Sequence, residues 1–102
     1  MHSNNILLNL RNKINKIDES ILHLLSKRKE IVIQIAKIKI LHNLPIKDKN
    51  RERELLNTLI TFGKTYNISK NYICNIFKMI IQDSILTQTN IKDKLNKKKY
   101  DI

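Results

Sequence analysis

The sequence predicts an all-α fold: three helices per chain, the first of them very long, in an intertwined homodimer. Three observations predict it. One Gly and one Pro in 102 residues leave few places for sharp turns. Apolar residues recur at alternating steps of three and four, the period of one helix face. The first of these stripes is longer than a domain of this size is wide. At 102 residues the chain has room for a single domain, residues 1–102, near the small end of what supports its own core.

The first helix is expected over about residues 6–41. Its stripe is Leu7, Leu10, Ile14, Ile17, Ile21, Leu24, Leu25, Ile31, Val32, Ile35 and Ile38. Asn4 or Asn5 suits its N-cap, and Pro45 requires it to have ended. About 36 residues at about 1.5 Å each make roughly 54 Å. A compact domain of this size is only about 33 Å across. One end therefore projects beyond its own monomer with an apolar stripe that needs cover, and a second copy of the chain is the simplest cover. An extended coiled coil is the competing account, but the later helices are shorter and differently patterned.

The second helix is expected over about 49–65, with Asp48 as N-cap, a stripe of Leu55, Leu56, Leu59 and Ile60, and Gly63 near its end. The third is expected over about 70–95, capped by Ser69, with Ile73, Ile76, Phe77, Ile80, Ile81, Ile85, Ile91 and Leu95 on one side. The basic tail, about 96–102, is expected to fray.

Composition narrows the function. A formal charge of +11 calls for anionic partners or a solvating surface. Charge alone does not choose among nucleic acid, a membrane surface and a small anionic substrate. Three Tyr, two Phe and no Trp make a base-stacking platform a poorer fit. The expectation of no nucleic acid rests on this together with the cations set within the apolar stripes. The most apolar stretch, Ile31 to Leu41, carries Gln34, Lys37 and Lys39 and is too short to span a bilayer. The start, MHSNNILLNLRNK, does not read as a secretory signal. The single Cys74 excludes an internal disulfide framework and fits a reducing compartment. A soluble cytoplasmic protein is expected. His2, His23 and His42 lack metal-ligand spacing, so no metal is expected.

Lysine is the default cation: of 20 basic residues only Arg11, Arg28, Arg51 and Arg53 are arginine. The guanidinium fork grips a planar anion with two parallel hydrogen bonds, which an ammonium does not. Arg28 interrupts the first stripe seven residues after Ile21 and seven before Ile35. A charge there is buried with a partner or faces a cavity. Lys39 follows eleven residues on, close to three turns, so both side chains leave one face about 16 Å apart. Arg11 lies about 25 Å before Arg28 and roughly 100° around the helix. To join the same site it must come from the partner chain. Ser84 and Gln88, four apart, sit along the apolar side of the third helix and suggest a polar cavity or ordinary buried hydrogen-bonded groups. Asp48, Arg51 and Glu52 open the second helix, with Asp48 and Glu52 on one face; acids in a first turn are also favoured by the helix dipole. No nucleophile is paired with a base. Such a set binds a small polyanion that carries a hydroxyl. It can accelerate a reaction that needs only conformational restriction and charge stabilisation.

The stretches LLNLRNKINKID, LLSKRKEI, AKIKILHNLPIKDKNRERELLNTLITFGK and IIQDSILTQ resemble the all-helical chorismate mutases, especially the N-terminal mutase domain of the bacterial chorismate mutase–prephenate dehydratases. The likeness runs from about residue 5 to 95 without evident gaps. It implies an intertwined dimer with two shared sites. Each would rearrange the dianion chorismate to prephenate by a [3,3] sigmatropic shift, with no cofactor and no covalent intermediate. By resemblance, Arg28 grips one carboxylate with Ser84 assisting, and Arg11 of the partner grips the other. Lys39 and Gln88 donate to the ether oxygen, Glu52 and the Asp48 region contact the ring hydroxyl, and Arg51 supports the site. The resemblance also implies a possible fusion to a dehydratase domain. Two other readings compete: a basic helical nucleic-acid binder, which does not explain cations within apolar stripes, and a purely structural helical dimer.

Overall fold

A computed structural model describes the backbone of residues 2–100 and the side chains of residues 2–97. Among the described residues there are three helices and no strand: α1 (His2–Leu41), α2 (Lys49–Thr65) and α3 (Lys70–Tyr100). None of them is long and apolar enough to cross a membrane. The chain divides into two compact units, one ending at Ile31 and one beginning at Val32.

The first unit is helix alone. α1 begins at His2, ahead of the expected start near residue 6, and takes in Asn4 and Asn5 rather than being capped by them. Nothing in His2–Asn5 forbids helical backbone, since only Pro and, less strongly, Gly do so. Every described side chain up to Ile31 is exposed except Arg28, which is half-buried. The stripe residues Leu10, Ile14, Ile17, Ile21 and Leu24 are 50–64% exposed.

The second unit holds the last turns of α1, α2 and α3. Val32 and Ala36 of α1 and Ile73 and Ile81 of α3 are its buried apolar residues. α2 packs on α3. Asp48 caps α2 as the sequence predicts: its backbone is extended (φ −133°, ψ 96°) and its carboxylate accepts from the Arg51 amide at 3.0 Å. Ser69 caps α3, with its Oγ accepting from the Tyr72 amide at 3.3 Å. α2 closes with the amides of Tyr66 and Ile68 donating to the Gly63 carbonyl at 3.1 and 2.8 Å. The left-handed residue after that turn is Asn67 (φ 57°), not glycine. Asn adopts this conformation more readily than most residues because its short side chain bonds locally.

Gly63 has a different task. It is buried, and a Cβ added there would fall on Cδ1 of the buried Ile73 and lie 3.1 Å from the Ile68 carbonyl oxygen. Overpacking of this kind costs about 1–3 kcal/mol, against about 1 kcal/mol gained from helix propensity. Gly63→Ala is therefore expected to lower the midpoint of thermal unfolding by about 4–8 °C. An unchanged midpoint would mean that Ile73 gives way freely.

α3 runs to Tyr100, past the expected end near residue 95. The sequence KLNKKK contains good helix formers and no Gly or Pro to stop it. Asp101 and Ile102, the rest of the expected tail, lie outside the described residues.

Candidate active site

Lys39 stands in the last turn of α1, where the helix dipole favours a cation. α1 ends in a tight turn: the amides of His42 and Asn43 donate to the carbonyls of Ile38 and Ile40 at 3.1 and 3.3 Å, and Leu44 donates to Lys39 O at 2.7 Å. Asn43 takes the left-handed conformation (φ 54°) that turns the chain back. Lys39 is half-buried, and its Nζ donates to the main-chain carbonyl of Ile46 at 2.7 Å.

The α2 N-terminus presents Asp48, Arg51 and Glu52. The Asp48 carboxylate is engaged by the Arg51 amide, and the Arg51 side chain is exposed. Glu52 is half-buried, one turn into the helix, and its Oε1 is buried with no hydrogen-bond partner within the chain. A buried acceptor left unpaired costs about 1–3 kcal/mol, so this oxygen is suited to an incoming hydroxyl.

α3 contributes the two buried polar side chains, Ser84 (9% exposed) and Gln88 (6%). Ser84 Oγ donates to the Ile80 carbonyl at 2.9 Å, and Gln88 Nε2 donates to the Ser84 carbonyl at 3.2 Å. The acceptor in the second bond is a carbonyl, so only the amide nitrogen of Gln88 can occupy that place. This settles which way the amide faces. One N–H is engaged, a second remains to donate, and Oε1 is buried without a partner. An amide held in this way is a preoriented neutral donor.

Lys39, Asp48, Arg51, Glu52, Ser84 and Gln88 all belong to the second unit. Arg11 and Arg28 belong to the first; Arg11 is exposed and Arg28 is half-buried. The polar set contains a cation, a neutral donor and acceptors of hydroxyl protons, which suits binding and charge stabilisation. One participant had no signal in the sequence: the Ile46 carbonyl that holds Lys39. A main-chain acceptor is present at every residue, and only the turn geometry selects this one.

Residues 10–89 match the sequence family described as chorismate mutase type II. The chain belongs to that family. All eight candidate residues fall within the matched span. Among chorismate mutase relatives, the bifunctional chorismate mutase/prephenate dehydratase of Escherichia coli K12 is 45% identical over 98 residues, covering 95% of this chain and 25% of the relative. That of Buchnera aphidicola subsp. Schizaphis graminum is 47% identical over 94 residues, covering 92% of this chain and 24% of the relative. The chain thus spans about a quarter of the length of these bifunctional relatives. The chorismate mutase of Methanocaldococcus jannaschii is 30% identical over 94 residues, covering 91% of this chain and 95% of the relative.

Proposed function

We propose that the chain is a cytoplasmic chorismate mutase that converts chorismate to prephenate in aromatic amino acid biosynthesis. The observation that carries this reading is the Gln88 amide, buried and oriented on α3 in the same unit as the half-buried Lys39. The rearrangement is intramolecular. The ether C–O bond breaks as a C–C bond forms, no group leaves, and no cofactor is needed. Negative charge grows on the ether oxygen as its bond to the ring lengthens. Lys39 and the free N–H of Gln88 donate to that oxygen, and so stabilise the transition state more than the ground state. Arg28, assisted by Ser84, and Arg11 grip the two carboxylates and select the compact conformer of the flexible side chain, a positioning effect. Glu52, with its unpaired Oε1, and the Asp48 region receive the ring hydroxyl. Arg51 supports the α2 terminus. The deciding experiment is to add chorismate to the purified protein and follow its conversion to prephenate; no conversion above the uncatalysed rate would overturn the assignment.

A homodimer with shared sites is part of the proposal, with Arg11 supplied by the second copy. Its support is the exposed apolar stripe of the first unit, in which no described residue is buried. A stripe of this kind on a soluble helix marks a contact surface.

Gln88 is neutral, so the rate is expected to vary little through mildly acid pH. In a Gln88→Glu variant the new carboxyl donates only when protonated, and an ordinary glutamate titrates near about 4.3. Its activity is present below its titration and lost as pH rises through it, so the optimum moves to acid. A pH–rate profile identical to the natural chain's would remove Gln88 from the donor role.

A further inference from the structure

We infer that Ile46 is a positioning residue: its main-chain carbonyl fixes the Lys39 ammonium for catalysis without neutralising it. This rests on the reading that Lys39 donates to the substrate.

A lysine side chain carries about 2 kcal/mol of rotamer entropy, so an ammonium free to swing is a poor preoriented donor. In this chain Nζ is held at 2.7 Å from Ile46 O, seven residues ahead of it and beyond the end of its own helix. The acceptor is itself held. The Leu44 amide returns to Lys39 O at 2.7 Å, so residue 39 is bonded to the turn through both its main chain and its side chain. Pro45 fixes φ immediately before Ile46. Ile46 is half-buried while residues 41–45 and 47–51 are all exposed, so its side chain is the turn's one anchor. Two residues later Asp48 ties the chain to α2 through the Arg51 amide at 3.0 Å.

The chemistry of the acceptor matters as much as its place. A carboxylate in this position would orient Lys39 equally well but cancel its charge. A carbonyl is neutral, so it occupies one of the three N–H donors and leaves the full positive charge and two donors for an anion. The opposite role is also testable: the bond could be a latch that substrate must break.

The test replaces the amide between Ile46 and Lys47 with an ester, by introducing the α-hydroxy counterpart of Lys47 through semisynthesis. Every side chain is kept, and the Ile46 carbonyl becomes a weaker acceptor. A positioning role predicts that kcat falls about ten-fold while KM stays within about two-fold. Unchanged kcat and KM would overturn the inference, and so would a lower KM with kcat maintained, the signature of a latch. Lys39→Ala separates the two levels. If it retains full activity, the underlying role of Lys39 fails. If it is inactive while the ester is silent, only the inference about Ile46 fails. A measurement on the natural chain does not depend on the ester protein folding. In 15N spectra of the lysine ammonium groups, assigned by loss of one signal in Lys39→Met, the Lys39 group is expected to show restricted motion and slowed proton exchange. Motion as free as that of the exposed lysines would overturn the inference.

Discussion

Lys39→Ala is expected to lower kcat about 10²–10³-fold, with a much smaller change in KM. In the proposed mechanism the ammonium is aimed at an oxygen whose charge appears only as the ether bond breaks, so its loss is expected to be felt in the transition state. Removal of one such donor costs about 2.7–4 kcal/mol. The side chain is half-buried, so water cannot freely take the place of the lost N–H groups. Steady-state kinetics with chorismate check this. A rise in KM with kcat preserved would instead make Lys39 a carboxylate clamp that holds ground and transition states alike. Secondary structure should be retained, because the Leu44 amide still closes the turn on the residue 39 carbonyl at 2.7 Å.

Mixing two inactive proteins is expected to restore activity. In the proposed dimer with shared sites, Arg11→Ala and Arg28→Ala each remove a carboxylate grip, and each homodimer loses that grip in both of its sites. In a heterodimer, one site combines the intact Arg28 of one chain with the intact Arg11 of the other, and the second site lacks both. Random exchange of equal amounts makes half the dimers mixed, with one good site in two, so about a quarter of the activity per site should return. The readout is activity after exchange through mild denaturant, with mixed dimers verified by mass. Proven exchange with no recovery would show that both arginines serve the site from one chain, or that Arg11 serves none.

Much of the fold is legible in the chain because its signals are local. Asp48 and Ser69 read as caps and act as caps, since an N-cap needs only its own side chain and the amide three residues on. The stripe of α3 names Ile73 and Ile81, which are buried, while the α2 stripe Leu55, Leu56, Leu59 and Ile60 is half-buried. The ends are less legible: α1 starts at His2 and α3 runs to Tyr100 because nothing there stops a helix, and the absence of a stop is a weak signal. Gly63 reads as a helix end by habit of its type. Its real constraint is a neighbouring side chain ten residues later, a tertiary fact. At the site, Ser84 and Gln88 stand out as polar residues along an apolar side, and both are buried. The orientation of the Gln88 amide and the bond from Lys39 to Ile46 are not readable, because both partners are main-chain carbonyls with no residue type attached.

If Glu52 and Gln88 serve the site as proposed, their buried Oε1 oxygens set durability against activity in this chain. Each is enclosed and unmatched, so the chain is less stable than an otherwise equal one with methyl groups at those points. Under the proposed role of Gln88, variants chosen only for withstanding heat are expected to drift towards replacing it with Met or Leu, and to lose turnover as they do. Any effort to harden this protein must therefore select on turnover at the same time.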